Sequence, residues 1–245
     1  FVRGHILGRP QADFKGREYS ARMSAAPWSF SKIKAYQQCP KQFYYEKVIK
    51  QYPFRTTEAI RYGDQFHKAA EKYVRDNEEL PERFLYAKNS LDALRRKKGD
   101  KLCEHKMGLT EDLEPCGFYE DDVWWRGIAD LIVLNEDEGL AYVVDYKTGK
   151  SSRYADRGQL ELMAMATFKH FPNVDTIRAG LLFVVCEDLI RSTYEQYEAD
   201  ALWDKWMSNF STMETAYTVD VWNPKPSGLC RQWCQVMECP HNGRR

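Results

Sequence analysis

The stretch YVVDYKTGKSS, residues 142–152, decides both the fold and the chemistry of this 245-residue chain. Its end, Gly149-Lys150-Ser151, matches the last three positions of a phosphate-binding loop, G-x-x-x-x-G-K-[ST]. The first glycine of such a loop would fall on Val144, and a β-branched residue inside a strand cannot make the required turn. The remaining interpretation is a strand that presents the carboxylate of Asp145, with Lys147 two residues further on.

The carboxylate of this strand has a candidate partner. Residues i and i+2 of a strand face the same side, so Asp145 and Lys147 share one face and Tyr146 takes the other. The strand VWWRGIADLIVL precedes it, and the short acidic loop 135–139 predicts an antiparallel hairpin that places Asp130 opposite Asp145 or its neighbour. Two such carboxylates raise each other's pKa unless a cation lies between them, which favours a site for Mg²⁺ or Mn²⁺. An ion pair of Lys147 with one aspartate is the alternative.

The flanking segments predict an α/β fold with a mixed β-sheet. Residues 27–100 have helical patterns: Ser29 or Ser31 caps a first helix, Pro40 opens a second, and longer ones follow over 56–77 and from Pro81. Residues 101–220 add the strands LCEHKMGL, IRAGLLFVVC and the edge strand STYEQYEA, with helices over 155–170 and 199–216. Residues 1–26 have no clear period and are expected to be a leader or vector-derived segment. Residues 27–245 are expected to form a single domain with a cysteine-rich tail, 221–245.

Composition limits the compartment and the partners. The 36 basic and 36 acidic residues balance, so only a local patch of positive charge could attract a polyanion. The sequence has no apolar run long enough to cross a membrane and no secretory pattern, which predicts a cytoplasmic protein without a membrane partner. Seven cysteines without an export signal argue against a disulfide framework and leave metal binding or reduced thiols.

Three motifs together carry a family resemblance. GIAD, residues 127–130, followed by VVDYKTG, residues 143–149, resembles the core of the PD-(D/E)xK nuclease superfamily, specifically its RecB-like branch. The segment SFSKIKAYQQCPKQFYY, residues 29–45, and the segment GDQFH, residues 63–67, resemble two further motifs of that branch. The resemblance implies a restriction-endonuclease-like core, a mixed sheet flanked by helices, and the activity of a metal-dependent DNA exonuclease.

The same resemblance implies roles for individual residues. Lys147 would orient or help deprotonate the attacking water and stabilise charge on the phosphorus centre. Gln159 matches the first position of a Q-x-x-x-Y motif, although Met163 stands where the tyrosine is expected, and Gln159 remains a catalytic candidate. Glu104 matches a loosely defined acidic position of the family. The implied metal ligands are His67, Asp130, Asp145 and the backbone carbonyl of Tyr146.

The tail contains a second candidate metal centre. Cys230, Cys234 and Cys239 have the spacing C-x3-C-x4-C, one thiolate short of a four-cysteine site, and Cys39 of the C-P segment would complete it. This arrangement resembles that of RecB-like nucleases with a [4Fe-4S] cluster, the AddB and CRISPR-associated types, although the tail spacing differs from theirs. Zinc is the competing occupant, because four thiolates suit it equally well.

The expected substrate is single-stranded DNA or a resected end in recombination or repair, in a phage or mobile-element type of system. A neutral chain that binds DNA must gather positive charge around its site. The predicted DNA contacts are Arg126, Lys150, Arg153, Arg157 and Tyr36. Trp124 and Trp125 could stack bases or lie buried in the sheet. Two alternatives remain: a catalytically silent DNA-binding or partner-docking module, and a nuclease subunit that serves a separate helicase or a CRISPR adaptation complex.

Overall fold

A six-stranded mixed sheet forms the centre of the protein in a computed structural model that describes residues 27–52 and 55–244. The expected leader, 1–26, lies outside the described residues. The strands are β1 (Asp100–Leu109), β2 (Pro115–Cys116), β3 (Trp125–Asn135), β4 (Leu140–Lys147), β5 (Thr176–Phe183) and β6 (Asp188–Glu195). Their order is β2-β1-β3-β4-β5-β6, and β4 and β5 run parallel while the other neighbours are antiparallel. The predicted α/β fold is confirmed.

Helices cover both faces of this sheet. They are α1 (Phe30–Gln38), α2 (Pro40–Phe43), α3 (Glu58–Arg75), α4 (Lys88–Arg95), α5 (Gly158–His170) and α6 (Ala199–Val219). Ser29 caps α1 by accepting the N–H of Lys32 at 3.4 Å, and Pro40 opens α2 as predicted. The helix expected from Pro81 is divided, because a 3-10 turn over Glu82–Ala87 precedes α4. A π-helical turn, Tyr44–Val48, extends α2.

Two apolar clusters lie on opposite faces of the sheet. On one face α1, α5 and α6 pack around Trp28, Trp125 and Phe210, all of which are fully buried. On the other face α3 and α4 pack Phe66 and Leu91 against β3, β4 and β5. Among the described residues, none of these helices is sufficiently long and apolar to pass through a membrane.

The predicted hairpin of β3 and β4 is confirmed. Its ladder runs from Asn135↔Leu140 to Leu131↔Val144, and Gly139 closes the turn with φ 59°, a left-handed conformation that favours glycine. The last hairpin differs from prediction, because β5 ends at Phe183 and β6 begins well before the expected edge strand 192–199. Residues 184–187 form the turn between them, although the apolar run had suggested a longer strand.

Candidate active site

The site begins where β3 and β4 separate. Their ladder ends at the pair Leu131↔Val144, so Asp130 and Asp145 are the next residues in the same register. Asp130 Oδ2 accepts the backbone N–H of Tyr146 at 2.6 Å and thereby takes the place of a ladder carbonyl. Asp130 and Asp145 are each only 8% exposed. The hairpin therefore brings both predicted carboxylates to one buried position.

A local irregularity turns a third carboxylate toward this position. Glu104 of β1 lies between the pairs Cys103↔Leu131 and His105↔Ala129 and therefore faces Asp130, but it has φ 48°, which is unusual for glutamate. Leu131 packs on the α3–α4 side of the sheet, whereas Ala129, two residues earlier in the same strand, packs on the α5–α6 side. In a regular strand these two residues would share one face. β3 therefore changes its alternation at Asp130, and both carboxylates point toward α3.

His67 on α3 completes this group. Its Nδ1 lies 3.2 Å from Asp130 Oδ1 and 3.9 Å from Glu104 Oε1, and its Nε2 lies 3.2 Å from the carbonyl oxygen of Tyr146. Candidate ligand atoms of His67, Glu104 and Asp130 all lie within 4.8 Å of one another. Phe66, the neighbour of His67 in α3, is fully buried among the aromatic residues beneath the helix and fixes the position of the histidine.

Asp145 belongs to a second, adjoining group. Lys147 Nζ lies 2.6 Å from Asp145 Oδ2 and donates to Gln159 Oε1 at 2.8 Å, while Gln159 Nε2 donates to Asp145 Oδ1. These three side chains share the α5 face, as the alternation along β4 predicted, and Gln159 reaches them from the first turn of α5. The two groups therefore lie on opposite faces of the sheet at the splayed end of the hairpin.

The charges of the two groups perturb one another. Burial, followed by repulsion from Asp130, raises the pKa of Asp145 from 3.8 to about 6. Burial and the charge of Asp130 likewise raise the pKa of Glu104. Burial opposes protonation of His67, but its hydrogen bond with Asp130 and the surrounding carboxylates outweigh this effect and raise its pKa. The carboxylates at this site therefore outnumber the basic side chains that could neutralise them.

The donor atoms fit a divalent cation. Asp145 Oδ2 is buried and makes no hydrogen bond of acceptable geometry, even though Lys147 Nζ lies close to it. Carboxylate oxygens, a backbone carbonyl and one imidazole are suitable ligands for Mg²⁺ or Mn²⁺. A cation between Asp130 and Asp145 would offset the repulsion between the two aspartates.

The four predicted cluster cysteines also come together. Cys39 lies at the junction of α1 and α2, and its sulfur accepts the N–H of Lys225 at 3.4 Å. The sulfur of Cys230 accepts the N–H of Ser227 at 3.4 Å. Burial raises the pKa of Cys234, and negative charge on the other three sulfurs would raise it further. Cys39, Cys230, Cys234 and Cys239 line one pocket between α1 and the tail.

Hydrogen bonds hold this tail on the N-terminal helices. Tyr52 donates its hydroxyl hydrogen to Glu238 at 2.7 Å and accepts the N–H of Met237 at 3.1 Å. Lys225 Nζ donates to the carbonyl oxygen of Gln37 at 2.8 Å. These hydrogen bonds therefore hold the tail next to Cys39.

The predicted DNA contacts are more dispersed. Lys150, Arg153 and Arg157 are exposed on the loop after β4 and at the start of α5. Arg126 lies near the start of β3, four residues before Asp130. Tyr36 packs edge-on against Phe43 and Trp222, and its hydroxyl donates to Thr212 O at 3.4 Å. Trp124 and Trp125 are 7% and 0% exposed, so both are core residues in this structure.

One member of the histidine group had only weak support in the sequence. Glu104 lies in a strand without a distinctive motif, and only its left-handed backbone places it beside His67 and Asp130. Met163, at the position of the expected tyrosine, is buried beside Gly127 in the sheet. Gln159 alone represents that motif in the site.

Comparison with known proteins identifies the family to which the chain belongs. No curated protein matches the sequence. A solved structure of SSO0001 is 12% identical with a TM-score of 0.44 over 89% of this chain and 88% of that one. A protein from Eubacterium rectale, described as a "Putative exonuclease", is 14% identical with a TM-score of 0.49 over 83% and 85%. Residues 27–239 match the family model of the PD-(D/E)XK nuclease superfamily, and the chain belongs to this superfamily.

Proposed function

We propose that this nuclease is a metal-dependent exonuclease of the RecB-like branch that hydrolyses phosphodiester bonds of single-stranded DNA or resected ends. The observation that carries the proposal is the meeting of two groups at the splayed end of β3 and β4. One group is His67, Glu104 and Asp130, and the other is Asp145, Lys147 and Gln159. Carboxylates that face a lysine across a cation position are suited to phosphoryl chemistry.

The proposed metal ligands are His67, Asp130, Asp145 and the carbonyl oxygen of Tyr146, with Glu104 as a further carboxylate. A bound Mg²⁺ or Mn²⁺ would lower the pKa of a water molecule and neutralise charge on the phosphate. To serve as a ligand, His67 must be neutral, and Asp130 can then accept a hydrogen bond from the other ring nitrogen. Asp130 also holds the Tyr146 amide, so the position of the Tyr146 carbonyl depends on this aspartate.

Lys147 has two roles in this proposal: it positions the attacking water and it stabilises negative charge on the phosphate. Its ammonium group lies 2.6 Å from Asp145 Oδ2, so it can hold the attacking water beside the metal position. It can also donate to a phosphate oxygen as negative charge develops there. Gln159 restrains Lys147 through a 2.8 Å contact and donates to the same aspartate, which makes it a positioning residue.

A [4Fe-4S] cluster at Cys39, Cys230, Cys234 and Cys239 is the second part of the proposal. The four cysteines line one pocket between α1 and the tail, which supports a shared occupant. Zinc held by the same four thiolates is the alternative, and the metal content distinguishes the two. Bound there, the cluster would tie α1 to the tail and serve as a structural staple.

The biological setting follows from the same branch. We place the protein in the cytoplasm, in recombination or repair of the phage or mobile-element type, acting alone or with a helicase partner. Residues 27–245 would work as one domain, with a helical part 27–100, a catalytic core 101–220 and a cluster tail 221–245. Packing of α1 of the first part and α6 of the second in one apolar cluster supports a single domain.

The test begins with anaerobic purification, a visible absorption spectrum, and iron and zinc contents. Hydrolysis of 5′- and 3′-labelled single-stranded DNA is then measured with Mg²⁺ or Mn²⁺ for the wild type, Asp145→Ala and Lys147→Ala. Lys205→Ala is the matched control, because Lys205 pairs with Glu161 on the surface of α5 and α6. We expect iron in the protein and metal-dependent hydrolysis that both site variants lose and the control keeps. A wild type that binds DNA but is inert with every metal would instead be a silent binding module.

A further inference from the structure

An open sheet surface extends from the carboxylates along β1 and β3. Beyond Glu104 and Asp130, every second residue of these strands points to the side of α3, and Lys106 is paired with Ile128 there. Ile128 is 39% exposed, although it lies in a central strand of the sheet and is followed by the buried Ala129. An isoleucine left accessible beside a catalytic site is a suitable floor for an apolar part of a substrate.

Two cations and two aromatic rings surround this floor. Lys106 Nζ donates to the hydroxyl of Tyr119 at 2.9 Å and lies 5.0 Å from the centre of its ring. The guanidinium of Arg126 lies 5.0 Å from the ring centre of Phe118, which contacts Tyr119 edge-on at 4.9 Å. Tyr119 is 75% exposed, so most of its ring is free to contact a ligand.

A glycine holds this aromatic loop against the sheet. Gly108 is paired with Arg126, and a Cβ at Gly108 would come within 2.9 Å of the carbonyl oxygen of Gly117. Phe118 and Tyr119 follow directly, so the close approach of the loop to β1 sets their height above the surface. A side chain at residue 108 would force the loop away.

Charge around the loop defines what it can bind. In the part of the chain that the structure describes, neither Lys106 nor Arg126 forms an ion pair with a carboxylate, so both remain available to phosphates. Lys32 is a third basic residue near Arg126: burial, and then repulsion from the Arg126 guanidinium, lower its pKa. The loop itself continues into the exposed acids 120–122, so its own contribution to binding must come from its rings.

We propose that Phe118 and Tyr119 form a base-stacking subsite for an unpaired nucleotide of the DNA strand under hydrolysis. Lys106 and Arg126 contact the phosphates on either side of this nucleotide, and Ile128 contacts its sugar or base edge. This subsite rests on the function proposed above and gives that function a preference for unpaired bases, because a base inside a duplex cannot present its face to Tyr119.

The strand geometry fixes where the nucleotide lies. Four residues of β3 separate Arg126 from Asp130, which is about 13 Å at 3.3 Å per residue. Stacked nucleotides rise about 3.4 Å each, so the subsite falls within about four nucleotides of the scissile phosphate. The base at one of these positions should therefore contribute to binding through Tyr119.

Binding and turnover of a 20-nucleotide oligodeoxythymidylate test the subsite. Binding is measured by fluorescence anisotropy in the inactive Asp145→Asn background, and KM and kcat are measured in the active protein. The variants are Tyr119→Ala, Tyr119→Phe and Gly108→Ala, and Tyr197→Ala is the control because Tyr197 is 84% exposed outside the site. We expect Tyr119→Ala to weaken binding and raise KM at least about fivefold with little change in kcat, since stacking on one aromatic side chain has this magnitude. Tyr119→Phe and the control should match the parent proteins, and Gly108→Ala should resemble Tyr119→Ala.

Oligonucleotides with one abasic position locate the stacked base. The base is removed in turn from each of the four positions on either side of the scissile phosphate. Removal at one position should weaken binding to the parent protein and leave binding to Tyr119→Ala unchanged. Equal losses in both proteins would overturn the subsite, as would a Tyr119→Ala variant with wild-type Kd and KM. A wild type that is inert with every metal would refute the proposed function alone, because anisotropy still reports on the subsite.

Discussion

Replacement of Asp145 by asparagine should stabilise the metal-free protein. Burial and the nearby charge of Asp130 raise the pKa of Asp145 to about 6 from its ordinary 3.8. The folded chain therefore holds this proton more tightly than the unfolded chain does. The free energy of unfolding falls as the pH rises from about 4 to about 6, and the loss is complete above that range. Asparagine keeps the shape of the side chain and removes the charge.

The magnitude follows from the two pKa values. Their difference corresponds to about 3 kcal/mol at 1.36 kcal/mol for each pKa unit. For a protein of this size, each kcal/mol shifts Tm by about 2–4 °C, so the upper limit of the gain at pH 8 is about 6–12 °C. The observed gain will be smaller, because Lys147 loses its counter-ion and the asparagine amide must also be buried.

Thermal melts followed by circular dichroism, with EDTA present and equal iron content in all samples, measure this effect. Wild type and Asp145→Asn are compared at pH 8 and at pH 5, where the gain should shrink because much of Asp145 is protonated. Asp156→Asn is the control with the opposite sign. Although burial opposes its charge, Asp156 has a lowered pKa because it pairs with Lys34 and accepts the Gly158 amide, so its replacement should lower Tm at pH 8.

Two results would refute this reasoning. If Asp145→Asn melts at or below the wild-type temperature at pH 8, the carboxylate does not carry an uncompensated charge in the folded protein. If the gain is equally large at pH 5, it has another origin than ionisation of Asp145.

Three further predictions concern the metal, the tail and the hairpin turn. Mn²⁺ should raise the Tm of the wild type and have little effect on Asp145→Asn, because the variant lacks one charged ligand; equal shifts in a melting assay would contradict the proposed ligand set. Cys230→Ser should lower the iron content and the Tm together, whereas Cys186→Ser, an exposed cysteine outside the tail, should change neither. Gly139→Ala should destabilise the protein by about 1–2 kcal/mol in urea unfolding, because residue 139 has φ 59° and a Cβ there would lie 2.6 Å from Asp175 Oδ2.

The hairpin was predictable because its signals are local. Alternation along VVDYK fixes the faces of Asp145 and Lys147, and the length of the acidic loop fixes the register of Asp130. Both signals depend only on residues close together in the chain. The hairpin and the register of both aspartates therefore follow from about twenty residues of sequence, whereas the direction in which Asp130 points does not.

The histidine group was harder to predict, since it depends on a change of alternation. Glu104 would face away from His67 in a regular continuation of β1 after Cys103, and its left-handed backbone reverses this. No glycine or proline marks the position, so nothing local in the sequence signals the irregularity. The interaction with Asp130 and His67 arises only when three separate segments have packed together.

The last hairpin, β5 and β6, shows a different limit of prediction from sequence. The apolar run after Ile177 continues to Cys186, and hydrophobicity alone predicts a strand of that length. The chain instead turns at 184–187, where Glu187 has φ 54°, because β6 must return along β5 to form the edge of the sheet. Buried side chains continue past the end of β5, because Val184, the first residue of the turn, still packs beneath α3 and α4.

The two ends of α1 suggest how the cysteine tail acts on the active site. At its start, Trp28 pairs with β3: it donates its N–H to Trp124 O at 2.6 Å and accepts the N–H of Arg126 at 2.9 Å. At its end, Cys39 faces the tail. The carboxylates are held separately, by the hairpin and by α3. Loss of the tail contacts should therefore displace α1 and the neighbourhood of Arg126 before it disturbs Asp130, which makes DNA affinity more sensitive to the cysteines than the chemical step is.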